Sequence, residues 1–369
     1  MAVRLGELHG HALRCRHPEE HEDLAVDLGY VLSPGMILGG TGKGEGKREE
    51  LVPNARHRLA DDTALMTTRV IIDCDPGHDD AIAILLALAS PEVELIGVTT
   101  VHGNQTLEKT TANALKVLEL AGRADVPVAV GADRPLVREL TVADHVHGQT
   151  GLDGPELPEP KARAVGDDAV TFLAHNLRPD VVLVPTGPLT NVARLVAERP
   201  DVRPERIVLM GGAIGLGNMT PAAEFNIWAD PEAAAAVFES GIPVTMVGLD
   251  VTHKALVTPE RADRLRSSGR VGEIVAELVE FFGQYHRTTY GWPGPPVHDA
   301  LALAAVIRPE LLRVELRRVD VELESELCRG RTVVDLYHRT DALPNAGVAV
   351  DVDAEAFLDL LEERIALLG

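Results

Sequence analysis

From Arg69 onward the chain alternates two kinds of apolar segment, and this alternation limits the fold more than any other feature. "RVIID" reads as a strand and "DDAIAILLALAS" as a helix; "VELIGVTTV" is a strand again and "TLEKTTANALKVLELAG" a helix. "VPVAVG", "DVVLVPTG", "RIVLMGG" and "PVTMVGLDVT" extend the strand series. Helical "TNVARLVAER", "DPEAAAAVFES" and a long helix around Val271–Tyr285 accompany them. The strands are continuous apolar runs, not period-two alternations. Strands of that kind belong in a parallel sheet covered on both faces. The pattern therefore predicts an α/β fold, an open, mostly parallel, Rossmann-like sheet flanked by helices in a single large domain. The tail segments "VELESELCRG", "RTVVDLYH" and "GVAVDVD" predict edge strands, partly antiparallel, before a last helix "AEAFLDLLEERIALL".

Residues 1–66 differ from the rest. They include the Gly-rich, charged stretch "GMILGGTGKGEGKREE" and little periodicity, and Met66 stands three residues before the first strand. They are expected to be a disordered extension or the product of an early start, with the single folded domain at 67–369. The net charge of −22 argues against nucleic acid and against anionic membrane surfaces as partners, because phosphate binding needs clustered Lys and Arg. No charge-free apolar run approaches the ~20 residues that span a bilayer. The N-terminus has no apolar core of a secretory signal. The three cysteines show no CxxC spacing, so neither a disulfide framework nor a zinc site is expected, and a cytoplasmic location is.

In open parallel sheets, ligands bind beyond the carboxyl ends of the strands. The residues just past each expected strand are Asp75, Asp79 and Asp80, then Asn104, Thr186, Asn218 and Asp250. They should converge on one edge of the sheet. Four aspartates fall within eight residues, Asp73 to Asp80. A helix dipole accommodates one acid in its first turn, but not this many. Clustered carboxylates repel one another unless a cation neutralises them, and oxygen ligands alone select a hard cation such as Ca²⁺. Cys74 should point to the face opposite Asp73 and Asp75.

"DCDPGHDDAIAIL" resembles the amino-terminal signature of the nucleoside hydrolases, the inosine–uridine-preferring N-ribohydrolase family. The resemblance continues in order through "VHGNQT", "HGQTGLDG", "VPTGPLTNVA", "VLMGG", "GNMTPAAEFNIWADPEAA" and "PVHDALALA", covering essentially everything from Arg69 onward. It implies calcium-dependent hydrolysis of ribonucleosides to ribose and free base, in nucleoside salvage, by a homodimer or homotetramer. It also implies that Asp75, Asp80 and Asp299 bind calcium through carboxylates, and Thr186 through its carbonyl. Asp79, Asn104, Asn218, Glu224, Asn226 and Asp299 would hold the ribose hydroxyls, with Met210 and Phe225 at the sugar pocket and His298 at the leaving base.

The chemistry of these residue types fits those roles. Asp75, near metal and water, suits a general base, and His298, with a pKa near neutrality, suits assistance to the leaving nitrogen. Glu224 and Asn226, two apart in an extended segment, would share one face, with Phe225 on the other. His78 is at best pocket lining, and His147 lies in a Gly-rich loop expected to cover the site. "YHRTTYGWPGPP" is expected to form a mobile lid, with Tyr285, Tyr290 and Trp292 as stacking partners for the base. Two other functions compete. A strand ending in DxD also opens phosphatases of the haloacid-dehalogenase type, but here Pro76-Gly77 and a second acid pair follow. A non-catalytic nucleoside- or ribose-binding protein on the same fold should lack a base or a metal ligand, and none is missing.

Overall fold

The computed structural model describes residues 67–369; the expectations for residues 1–66 lie outside the described residues. The first unit is β1 (Thr68–Cys74), α1 (His78–Ala89) and β2 (Val93–Thr100), followed by α2 (Leu107–Leu120) and β3 (Val128–Val130). Then come α3 (Asp144–His147), α4 (Ala169–Asn176), β4 (Val181–Pro185), α5 (Thr190–Glu198) and β5 (Arg206–Met210). The third stretch holds α6 (Phe225–Ala229), α7 (Pro231–Phe238), β6 (Val244–Val247), α8 (Leu249–Thr252), α9 (Pro259–Arg266), α10 (Arg270–Tyr290) and α11 (His298–Ile307). The chain ends with β7 (Leu312–Arg317), β8 (Val319–Val321), β9 (Thr332–Val334), β10 (Ala346–Val352) and α12 (Ala354–Ala366).

The main sheet has the order β3-β2-β1-β4-β5-β6-β10-β7, parallel throughout except for antiparallel β7 at the edge. Burial explains why its strands read as unbroken apolar runs. Val70, Ile72 and Cys74 of β1 pack into the core on one face, and Ile71 into the core on the other. Cys74 thus lies on the face opposite Asp73, as expected, but on the side covered by α1 and α11, within the field of Asp80 and Asp299; Cys74 and Cys328 are both free thiols. The strand order reverses between β1 and β4, whose residues pair from Arg69–Val181 to Asp73–Pro185. A crevice opens at such a reversal beyond the carboxyl ends, and here it receives the loops after β1 and β4 side by side.

The tail departs from expectation. β10 is not an edge strand; it lies between β6 and β7 and runs parallel to β6. The edge is β7, "LRVELR", whose charged and half-buried residues hide a strand signal. Only three residues of "VELESELCRG" and its flank, Val319–Val321, form a strand, and they pair with Thr332–Val334 in a separate ribbon. Among the described residues no helix is long and apolar enough to cross a membrane.

Candidate active site

Asp79, Asp80 and Asp299 bring carboxylate oxygens within 4.8 Å of one another, all buried. Two elements do this. Asp79 and Asp80 open α1 and Asp299 opens α11, and the two helices pack together in the core. Asp80 also serves the fold: one oxygen accepts the Gly77 amide (2.9 Å) and the Asn104 Nδ2 (3.1 Å), and the other accepts the Thr186 hydroxyl (2.7 Å). Asp75, at the exit of β1, is fully buried. Its Oδ2 accepts the Asn104 amide at 2.6 Å, while its Oδ1 has no hydrogen-bond partner among the described residues. The backbone at Gly187 approaches so closely that a Cβ there would stand 2.6 Å from Asp75 Oδ1.

Burial, and then the neighbouring carboxylates, raise the pKa of Asp75 and Asp299 well above the usual range, and that of Asp79 to about 7. Such a cluster is electrostatically incomplete by itself. An orphaned carboxylate oxygen, several buried like charges and oxygen-only donors fit a hard cation. Asp73 is not part of it. It accepts hydrogen bonds from the Thr99 hydroxyl and from Asn191 Nδ2 (2.8 Å), so it ties β1 to β2 and α5.

The cavity beside the cluster is lined by Asp79, Asn104, Thr186, Met210, Asn218, Glu224, Phe225, Asn226, His298 and Asp299, every sugar-pocket residue expected from sequence. Asp75 and Asp80 do not line it, but both contact Asn104, which does. One local expectation is overturned. Glu224 and Asn226 do not lie on one extended segment, because Glu224 is the N-cap of α6. Its Oε1 accepts the Asn226 amide (2.9 Å), and its Oε2 accepts the amides of Ile227 (3.1 Å) and Gly212 (2.9 Å). A carboxylate at a helix start satisfies amides that otherwise lack partners. Asn226 Nδ2 donates to the carbonyls of Thr186 (2.7 Å) and Met210 (3.1 Å), which leaves its Oδ1 for a ligand. Asn218 Oδ1 accepts the Phe225 amide (2.9 Å), which leaves its Nδ2. Asp250 does not line the cavity; it anchors the preceding loop through the amides of Ile214 (2.6 Å) and Gly215 (3.0 Å).

The far end of the cavity is aromatic. His145, His147, His253, Phe282, Tyr285, His286 and Tyr290 line it together with His298. The first half of the expected lid is helix instead: α10 continues to Tyr290 and stops at Gly291, whose φ of +69° favours glycine. Tyr285 and Tyr290 reach the cavity, whereas Trp292 stacks on Tyr290 at 4.5 Å without lining it. Sequence reasoning missed His286 and Phe282. The signal was there, since Phe282, His286 and Tyr290 recur every four residues along one face of α10. His147 lines the cavity with its Nδ1 3.0 Å from that of His78. His78 does not line it; its Nε2 lies 2.9 Å from the Asp153 carbonyl. His298 is not poised near neutrality. Burial, followed by the neighbouring histidines, holds its pKa well below the ordinary value, so the ring is uncharged at pH 7.

A parallel sheet with an acidic, oxygen-lined sugar-sized cavity at its switch point, closed at one end by aromatic rings, defines an α/β enzyme of the nucleoside-cleaving class. Residues 70–359 match the family model described as inosine-uridine preferring nucleoside hydrolase, and the chain belongs to that family. It is 53% identical over 307 residues to the pyrimidine-specific ribonucleoside hydrolase RihA of Shigella boydii, covering 81% of this chain and 99% of that protein. The RihA of Citrobacter koseri is likewise 53% identical, over 308 residues, covering 82% and 99%. Among solved structures, the purine-preferring ribonucleoside hydrolase from Gardnerella vaginalis superposes with a TM-score of 0.76 at 36% identity, covering 81% of this chain and 98% of that one. The protein is a ribonucleoside N-ribohydrolase.

Proposed function

We propose that the protein hydrolyses the N-glycosidic bond of ribonucleosides, pyrimidine ribonucleosides foremost, with one bound Ca²⁺, releasing ribose and free base for salvage. The observation that carries the metal assignment is the unpartnered Oδ1 of buried Asp75 beside the Asp79–Asp80–Asp299 cluster. The carboxylates of Asp75, Asp80 and Asp299 and the carbonyl of Thr186 would hold the ion. When bound, calcium supplies positive charge that orients a water molecule and makes it easier to deprotonate.

The remaining steps belong to the chain itself. Asp75 takes the proton from the attacking water as general base. Asp79, Asn104, Asn218, Glu224, Asn226 and Asp299 hold the ribose hydroxyls, and the carboxylates among them favour a sugar approaching an oxocarbenium ion. Met210 and Phe225 exclude water from the sugar. His298, uncharged, donates a hydrogen bond to the departing base. The preference for pyrimidines rests on the two relatives named RihA, which match almost over their full length. The phosphatase reading is disfavoured because, among the described residues, neither Lys nor Arg lines the cavity. A homodimer or homotetramer in the cytoplasm completes the proposal. Ribose release from a panel of purine and pyrimidine ribonucleosides tests it: uridine and cytidine should outpace inosine and guanosine. Equal rates, or a purine preference, would reject the base assignment; no ribose from any of them would reject the activity.

A further inference from the structure

His298 opens α11, and its Nδ1 lies 2.7 Å from the hydroxyl of Thr252, the last residue of α8. Thr252 is fully buried. Its backbone amide is occupied by the Gly248 carbonyl at 3.2 Å, and among the described residues the hydroxyl makes no hydrogen bond but the one to His298. That isolation decides the direction of the hydrogen bond. If His298 carried its proton on Nδ1 and donated it, the Thr252 O–H would be a buried donor with no acceptor. If the hydroxyl donates instead, only oxygen lone pairs are left over, and under-used acceptors cost less than orphaned donors. A ring that accepts the hydroxyl at Nδ1 carries its proton on Nε2.

We infer that Thr252 is a positioning residue for the reaction: its hydroxyl donates to Nδ1 of His298 and holds the ring with Nε2–H as the donor presented to the leaving base. The inference rests on the proposed role of His298. The opposite tautomer would turn a lone pair toward a base that is gaining negative charge, and would oppose its departure. The ring also needs a tether. Its ring contact with His253, edge-on at 5.5 Å, restrains its position but not its tautomer.

Three variants test the inference with two substrates. A ribonucleoside such as uridine releases a poor leaving group, whereas p-nitrophenyl riboside releases a stable anion needing no donor. Thr252→Val, which keeps the shape and loses the hydroxyl, should lower kcat on the nucleoside about tenfold with little change in KM, and leave p-nitrophenyl riboside within about twofold. Thr252→Ser should restore the nucleoside rate. His298→Ala should show the same substrate split more strongly. If His298→Ala slows both substrates equally, or neither, the role of His298 itself fails. If His298→Ala splits the substrates but Thr252→Val does not, the Thr252 inference alone falls; failure of Thr252→Ser to restore activity also overturns it. Should Thr252→Val not fold, ¹⁵N-histidine spectra of the native enzyme decide: His298 protonated at Nε2 supports the inference, and at Nδ1 overturns it.

Discussion

The Thr186 hydroxyl donates to the Asp80 carboxylate at 2.7 Å, across 106 positions of sequence, and so joins the end of β4 to the start of α1. The bond orients a carboxylate proposed to hold the cation, while the Thr186 carbonyl contributes from the same residue. Removing the hydroxyl should disturb the metal without removing a ligand. Thr186→Val is expected to weaken calcium binding by about 10–100-fold, the range usual for groups that orient metal ligands. Titration with calcium against recovered activity measures this. The wild-type protein should hold one Ca²⁺ per chain by elemental analysis, and Asp75→Ala or Asp80→Ala should be inactive on every substrate. Stoichiometric zinc, or full activity after exhaustive chelation, would refute the assignment.

Glu224 yields a second prediction because both of its carboxylate oxygens are already engaged by backbone amides. In Glu224→Gln, either orientation of the amide sets an NH₂ group against a backbone N–H. The variant is expected to lose about 1–3 kcal/mol of stability, the cost of a buried donor left unpaired, and to raise KM for nucleosides. Thermal melting and steady-state kinetics on one preparation check both effects. Asn218→Ala, which removes a single accepted amide bond, should raise KM with a smaller change in melting temperature.

The sheet and its acidic edge were legible in the sequence because both rest on local pattern. β1 to β6 are built on short apolar runs, and Asp75, Asp79 and Asp80 lie within six residues of one another. What was not legible depends on partners far away in sequence. β7 looks like a charged loop until β10 pairs with it, and Asn226 looks extended until the Glu224 carboxylate caps the helix that contains it. The suppressed basicity of His298 comes from burial and from histidines contributed by other elements, which no local motif encodes.

Deletion of residues 1–65 is expected to leave folding and activity intact. The family match begins at residue 70, and the RihA of Shigella boydii is matched over 99% of its length by 81% of this chain. Circular dichroism and uridine hydrolysis of the truncated protein check this. Insolubility, or loss of most of the activity, would place the segment within the working enzyme.

Nucleoside 5′-monophosphates should not be hydrolysed. Among the described residues the cavity lining contains Asp79, Glu224 and Asp299 but neither Lys nor Arg. A phosphate brought here would lose its hydration and meet carboxylates instead of donors. Ribose 5-phosphate release from uridine monophosphate, measured beside uridine, should be undetectable at substrate concentrations that saturate the nucleoside reaction.

The last prediction concerns pH and His102. This residue is fully buried, with Nε2 3.1 Å from the Thr190 hydroxyl and Nδ1 unpartnered. Burial lowers its pKa to about 4. The unfolded chain binds the proton near the ordinary value of about 6.5, so between the two values the unfolded state is the more protonated. The contribution to stability is therefore fully present above pH ~6.5 and is lost as the pH falls toward ~4, amounting to at most about 3 kcal/mol. Asp73, raised to about 6, and Glu224, raised to about 7, act with the opposite sign, because they take up protons in the folded state first. The profile of the wild-type protein alone is thus not diagnostic, whereas its difference from His102→Gln is. Denaturant unfolding in excess calcium at pH 7.5, 6 and 5 should show the wild type losing more stability than the variant on acidification. Parallel profiles would mean that His102 is as easily protonated in the folded protein as in the unfolded chain.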